Sequence, residues 1–286
     1  MKRQDFRFFH RLQVRWAEID QQKIVFNGHY LTYVDVTMTN YWRALGLPYE
    51  AAMASLGGDL YVKKSTLEYH ASARMDDQLD IGLRLERLGR SSLSFVCGMF
   101  RGEDLLVRAE VVYVFADPLT QTSRPVPQPL RDIFEAYEAG QPMLRIECGA
   151  WSKLGPDASA IRGEVFIQEQ RIPKDLEWDE ADAQAVHAVA YNQLGQPLAT
   201  GRLLSHAPGQ ARIGRMAVLR VLRGSHLGRD ILHALMDCAR RRGDHEVVLH
   251  AQRSAEGFYL RQGFAPRGEP FEEAGIPHIE MFAQLS

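Results

Sequence analysis

The sequence predicts an α+β protein of two successive domains, and three observations lead there. Its 286 residues are long for one compact unit and natural for two of roughly 140 residues. The order of elements differs between the halves: strand, helix and four strands in front, alternating helices and strands behind. Between them Pro118, Pro125, Pro127 and Pro129 crowd together, which no strand tolerates.

In the first half, Leu31, Val34, Met38, Tyr41 and Leu45 recur at helical spacing, so a helix is expected from about Gly28 to Ala44. Tyr30, Tyr33, Val36 and Trp42 make its other faces apolar too. Such a helix should be buried, as if a sheet wrapped around it. Ile81, Leu83 and Leu85 alternate with Gly82, Arg84 and Glu86, and a second alternating run extends from Leu105 to Phe115. One long antiparallel sheet around one long helix is the expected result. Pro129 can open a short helix carrying Leu130, Ile133, Phe134 and Tyr137, and Ala139-Gly140-Gln141-Pro142 ends it. The boundary is placed there, giving domains 1–141 and 142–286.

The second half opens as a helix and continues with strands. Val186–Tyr191 and Leu198–Leu204 flank Leu194-Gly195-Gln196-Pro197, a hairpin signal, and residues from Arg212 to Val218 read as a third strand. A helix from about Gly228 to Arg242 places Ile231, Leu232, Leu235, Met236 and Ala239 on one face, with Gly243 at its end. Glu246–Ala251 is the next strand.

Composition narrows the functions. A net charge of −2 with no basic stripe gives no general attraction for nucleic acid or a membrane. No apolar run approaches the roughly 18 residues of a membrane span, and the start of the chain lacks the pattern of a signal peptide, so a cytoplasmic protein is expected. Cys97, Cys148 and Cys238 have no metal-ligand spacing, and no metal is expected.

In the segment from Trp16 to Tyr30, Asp20 stands just before the helix. A carboxylate there can activate water, and the unpaired N–H groups of a helix start can hold an oxyanion; thioester hydrolysis needs both. The same residue could equally serve as a cap. With Asp20 and Tyr30 ten residues apart, and with Leu88-Gly89-Arg90-Ser91-Ser92-Leu93 further on, the region resembles the hotdog thioesterases of the 4-hydroxybenzoyl-CoA/acyl-CoA thioesterase family. That resemblance implies an acyl-CoA substrate, with Asp20 as catalytic carboxylate and the backbone N–H of Asn27 on the thioester oxygen. It also implies a homodimer or homotetramer built through this domain. Many relatives have Gly where this chain has Lys23, in the turn that shapes the acyl pocket.

Arg223-Gly224-Ser225-His226-Leu227-Gly228 lies between the strand ending Met216-Ala217-Val218 and a helix, with Arg220 and Arg229 nearby. Small residues there let consecutive N–H groups reach a pyrophosphate. The half as a whole, through Val165–Gln170, Trp178–Asp182, Ile213–Val218 and Gly275–Met281, resembles the GNAT acetyltransferases, and among them the ElaA-type branch. The implied fold is a mixed sheet flanked by helices. The implied chemistry is acyl transfer from acetyl-CoA or another acyl-CoA to a small-molecule or peptide amine. Arg223, Gly224, Ser225, His226, Leu227, Gly228 and Arg229 would hold the pyrophosphate, Met216 and Val218 the pantetheine amides, with Gln252 nearby. Tyr259 would protonate the departing thiolate. His226 stands where the pattern has an inner Gly. Glu169, His187 and His278 stay open as general base.

The resulting expectation is a bifunctional coenzyme-A-dependent enzyme. The alternative keeps one domain catalytic and makes the other an acyl-CoA-binding or dimerisation module.

Overall fold

The computed structural model describes residues 1–285, and the chain divides into two compact units at Met143/Leu144. In the first, β1 (Phe8–Gln13) precedes α1 (His29–Ala44) and α2 (Tyr49–Leu56); β2 (Asp59–Tyr69), β3 (Gln78–Leu88), β4 (Ser92–Arg101), β5 (Asp104–Ala116) and α3 (Gln128–Glu138) follow. The strands form an antiparallel sheet in the order β1-β3-β4-β5-β2. Tyr41 of α1 is fully buried, with its ring 5.4 Å from Phe8 and 5.9 Å from Phe95 of the sheet and 5.2 Å from Tyr137 of α3. Aromatic edges of this kind anchor a helix on a sheet.

The burial of α1 is less complete than its composition suggests. Tyr30, Tyr33, Val34, Met38, Tyr41 and Trp42 are buried, whereas Leu31 is 42% and Val36 39% exposed. A single sheet covers one side of a helix, and within one chain the opposite stripe faces solvent. Both outer strands, β1 and β2, are open edges of the sheet.

The second unit opens with a strand rather than with the expected helix: β6 (Leu144–Ala150) stands ahead of α4 (Trp151–Arg162). A π-helical turn, Gly163–Glu169, extends α4. Then come α5 (Lys174–Glu177), β7 (Val186–Asn192), β8 (Pro197–Ala207), β9 (Gln210–Val218), α6 (Leu227–Arg242), β10 (Glu246–Gln252), α7 (Glu256–Leu260), β11 (Ala265–Glu273) and β12 (Ile276–Gln284). The sheet order is β11-β12-β10-β9-β8-β7-β6, antiparallel except for the β9–β10 pair. Alternate residues of β7 serve opposite layers. Ala188 and Ala190 pack with Ile231, Leu235 and Ala239 of α6, and Val189 and Tyr191 with Leu154, Ala158 and Ile161 of α4. No helix among the described residues is long and apolar enough to cross a membrane.

A buried ion network fastens the segment after α4. The Arg162 guanidinium, 1% exposed, meets the Asp182 carboxylate at 2.9 Å and donates to the Glu177 carbonyl at 2.7 Å. Arg202 bridges Asp179 at 2.6 Å and Asp182 at 2.8 Å. Burial pushes the Asp182 carboxyl upward, but the two arginines outweigh it and hold the group below its ordinary range.

Candidate active sites

In the first unit, β1 ends at Gln13, so Asp20 belongs to a tight turn beyond the strand rather than to the strand's end. The turn closes where Ile19 bridges Val25, with the Asp20 N–H donating to the Ile24 carbonyl at 2.9 Å. Asp20 Oδ1 accepts the Gln22 N–H at 2.8 Å, an Asx turn. Lys23 has φ +62°, the left-handed conformation that a glycine would adopt freely. Asn27 is exposed, its carbonyl accepts the Tyr69 hydroxyl at 3.2 Å, and its N–H donates to no protein atom among the described residues. Asp20 and Asn27 are not joined by a hydrogen bond within the chain.

What fixes this loop is a residue the sequence did not single out. Glu18 is 3% exposed and accepts the Arg15 N–H at 2.7 Å and the Tyr33 hydroxyl at 2.6 Å, with the Arg15 guanidinium also on its carboxylate. Burial works to raise its pKa, yet these donors outweigh burial and hold it below the usual range. Its carbonyl takes the Phe26 N–H at 2.9 Å. Tyr30 completes the anchoring, its hydroxyl accepting the Ala73 N–H at 3.0 Å. The Arg15-x-x-Glu18 spacing was the only sequence signal for this anchor.

In the second unit, β9 and β10 pair only from Gln210/Glu246 to Arg212/Val248 and then part. Opposite the opening, the β8–β9 register slips between Thr200 and Arg202, where Arg215 has φ +53°. The resulting bulge re-aims Met216. It packs against Gly201, where an added Cβ would lie 2.7 Å from Met216 Sδ and 2.8 Å from Leu235.

Two cavities flank this opening. One, about 790 Å³, is walled by Met216, Val218, Arg223, Gly224, Leu227 and Gly228, together with His226, Arg229, Gln252 and Tyr259. The other, about 480 Å³, holds Arg202, Arg212, Arg215, His250, Glu273 and His278. Gln170, Met216, Gln252, Ala255 and Tyr259 line both, so the cavities meet at the splayed strands. Tyr259 is 8% exposed, and burial pushes its phenol up to about 12. It therefore stays protonated through the neutral range and can donate a proton at the junction.

Among the described residues, the N–H groups of Gly224, His226, Leu227, Gly228 and Arg229 donate to no protein acceptor. Such a row, at the start of a 16-residue helix, suits a phosphate. His226 holds φ +68° and Gly224 φ +86°. Ser225 stands apart from the other expected ligands. It is not on the cavity wall, because its N–H and its hydroxyl both donate to the Leu222 carbonyl, at 3.3 and 2.5 Å. Arg223 is engaged as well: its guanidinium forms two 2.6 Å bonds to Glu169, and Nε donates to the Val218 carbonyl at 3.2 Å.

The open general-base question narrows here. Glu169 is held by Arg223. His187 is 1% exposed, is bonded to the Asp182 carbonyl at 2.9 Å and lines neither cavity. His278 does line the smaller cavity; its Nδ1 lies 2.7 Å from the Ile276 carbonyl. Since a carbonyl only accepts, Nδ1 carries the hydrogen and the neutral ring keeps its lone pair on Nε2. Phe271 stacks on the ring at 6.0 Å.

An antiparallel sheet around a helix, followed by a mixed sheet with a splayed parallel pair over a helix start, defines a hotdog-like fold and a GNAT-like fold in tandem. Comparison with known proteins agrees. Residues 22–114 match the family model of the thioesterase superfamily, and residues 153–285 match that of the acetyltransferase (GNAT) domain. YyaT of Bacillus subtilis is 34% identical over 135 residues, covering 46% of this chain and 88% of that protein. The uncharacterized N-acetyltransferase YjcF of the same organism is 35% identical over 126 residues, covering 44% and 89%. ElaA of Escherichia coli is 32% identical over 129 residues, covering 44% and 84%. The crystal structure of that ElaA covers 49% of this chain and 99% of its own, with TM-score 0.45 and 28% identity. A 1,4-dihydroxy-2-naphthoyl-CoA thioesterase from Synechocystis covers 46% and 97%, with TM-score 0.43 and 17% identity. The chain belongs to the GNAT acetyltransferase family through its second domain, with a hotdog domain of the thioesterase superfamily in front.

Proposed function

We propose that the chain is a bifunctional coenzyme-A enzyme, hydrolysing an acyl-CoA thioester in the first domain and acylating an amine in the second. The functional boundary is placed near residue 142. The observation that carries the second activity is the meeting of two cavities at Tyr259 between the splayed strands. Acyl-CoA would occupy the larger one, with its pyrophosphate on the free N–H groups from Gly224 to Arg229. Its pantetheine would lie along Met216 and Val218, beside Gln252. The amine would enter from the smaller cavity, lose its proton to His278 Nε2 and attack the thioester carbon. Collapse of the tetrahedral intermediate breaks the C–S bond, and the Tyr259 hydroxyl protonates the thiolate. Ser225 is given a structural role, closing the turn that presents its neighbours.

For the first domain, Asp20 would activate water while the Asn27 N–H holds the thioester oxygen. The open strand edges and the exposed Leu31 and Val36 support a homodimer or homotetramer, in which a second copy would complete this site. A cytoplasmic setting, where coenzyme A is used, belongs to the same reading.

A second reading keeps the acyltransferase domain as a binding module. It is favoured by Glu169, a general-base candidate whose carboxylate is taken up by two bonds from Arg223.

Thiol release from a panel of acyl-CoAs, with and without amines, tests the assignment in wild type, Asp20→Asn and Tyr259→Phe. Hydrolysis as fast in Asp20→Asn as in wild type removes Asp20 from the thioesterase. If no amine accelerates thiol release and no N-acyl product forms, the transferase reading fails and the binding-module reading takes its place.

A further inference from the structure

The charges of the smaller cavity do not balance pair by pair. Among its acids, Asp179 is held by Arg202 at 2.6 Å and Arg215 at 3.2 Å, and Glu177 by the buried Arg162. Arg212 is different. It is half-buried on β9 at the last paired position before the splay; it makes no direct contact with a carboxylate among the described residues, and its charge acts on Glu273 from beyond His250. Its one hydrogen bond there runs from Nη2 to His250 Nδ1 at 2.9 Å.

That bond is in conflict with another. His250 Nδ1 also lies 2.9 Å from Glu273 Oε2. One ring nitrogen cannot accept from a guanidinium and donate to a carboxylate at the same time. Arg202 and Arg215 in the same wall are committed to acids: Arg202 to Asp179 and Asp182, and Arg215 to Asp179 and, through Nε at 3.5 Å, to Glu177. Arg212 is thus the cavity arginine with no carboxylate of its own and a single, contested side-chain hydrogen bond, and such a donor favours a ligand that supplies acceptors.

We propose that the acceptor is a small primary amine carrying an oxyanion group, carboxylate or phosphate, and that Arg212 is the residue that reads this group. The inference rests on the acyltransferase reading and adds the substrate class to it. A guanidinium recognises such groups through paired, charge-assisted hydrogen bonds. With Arg212 turned to the oxyanion, His250 Nδ1 is released to donate to Glu273, and the competition between the two bonds ends. The amine end then faces His278 and the thioester at the junction marked by Tyr259 and Gln252. A cavity of about 480 Å³ lies within the roughly 300–1,000 Å³ typical of small-molecule sites.

The test measures N-acyl product by mass spectrometry, which keeps hydrolysis by the first domain out of the readout. Acetyl-CoA is supplied with the twenty L-amino acids, β-alanine and γ-aminobutyrate, each beside its carboxamide, and with O-phosphoethanolamine beside ethanolamine. The expected result is a preference in kcat/KM for the anionic member of at least one pair by roughly 10- to 100-fold, the scale of a charged hydrogen bond. The amino-acid and phosphate arms tell the two oxyanions apart. In Arg212→Gln the ratio should collapse toward one, chiefly through KM, with Arg212→Lys intermediate. Retention of the thermal shift given by acetyl-CoA shows that the variant is folded. Equal turnover of anionic and neutral amines by wild type overturns the inference and leaves the transferase reading standing; so does a ratio unchanged in Arg212→Gln. Absence of product from every amine overturns both.

Discussion

The Lys23 turn in the first domain and the His226 loop in the second hold the same strained backbone for different ends. Each places a bulky residue in the left-handed region, at φ +62° and +68°, where a side chain costs about 1–2 kcal/mol. The Lys23 turn is held from outside, by the buried Glu18, Arg15 and Tyr33 cluster and by Tyr30. The His226 loop closes on itself through Ser225 and Leu222 and opens a long helix. The strain therefore yields different things. In the second domain it sets a row of free N–H groups beside Tyr259 and two cavities within one chain. In the first, Asp20 and Asn27 stay unlinked within one chain. A backbone shape survives loss of its glycine when its surroundings over-determine it, and that shape alone does not assemble a site.

Changes that separate the two domains sharpen this comparison most. Asp20→Asn is expected to lower acyl-CoA hydrolysis by roughly 10²- to 10⁴-fold, the usual range for general acid–base catalysis, with N-acyl product unaffected. Equal loss of both activities would make the two domains one functional unit.

Next in size is Arg162→Leu, which leaves Glu177 and Asp182 buried with fewer partners. It should destabilise the second domain by about 3–5 kcal/mol, read as a lowered urea midpoint for that domain and an unchanged one for the first.

Tyr259→Phe should reduce amine acylation about 10²-fold and leave hydrolysis as it was. The same residue links stability to pH. Its folded pKa, about 12, is raised above the ordinary phenol value near 10. The stabilisation is therefore complete below pH 10 and lost as pH rises through 12, on the order of 2 kcal/mol. Urea titrations of the second domain between pH 9 and 12 should show this slope, and a smaller one in Tyr259→Phe.

The smallest effects test the strain itself. Lys23→Gly and His226→Gly should each stabilise by about 0.5–1 kcal/mol, since relief of the left-handed side chain exceeds the added freedom of the unfolded chain. Acetyl-CoA should bind His226→Gly at least as well as wild type, because the backbone N–H is retained. Weaker binding would give the imidazole itself a part in holding the ligand.

Much of the architecture was legible in local pattern. The helical spacing of Leu31 to Leu45, the alternation from Leu105 to Phe115 and the apolar face of α6 each followed from one period of the chain. Strand β6 carries only a short alternation, Leu144, Ile146 and Cys148 against Arg145 and Glu147, and at an outer strand running straight into α4 so few residues do not tell a strand from a helix start. The solvent-facing stripe of α1 was missed for a related reason: composition shows that a helix is apolar, not how far one sheet reaches around it.

For the sites the division is sharper. The sequence by itself determined the two folds, the loop from Arg223 to Gly228 and the presence of Asp20 and Tyr259, because short-range spacing encodes turns and helix starts. Only the tertiary structure decided which groups share a space. It turned Ser225 away, closed Glu169 with Arg223, buried His187 in an ion network and left His278 and Arg212 on the wall of the smaller cavity. Those choices depend on strands far apart in sequence, where a bulge at Arg215 and a splay after Arg212 set the distances, and no local periodicity carries that information.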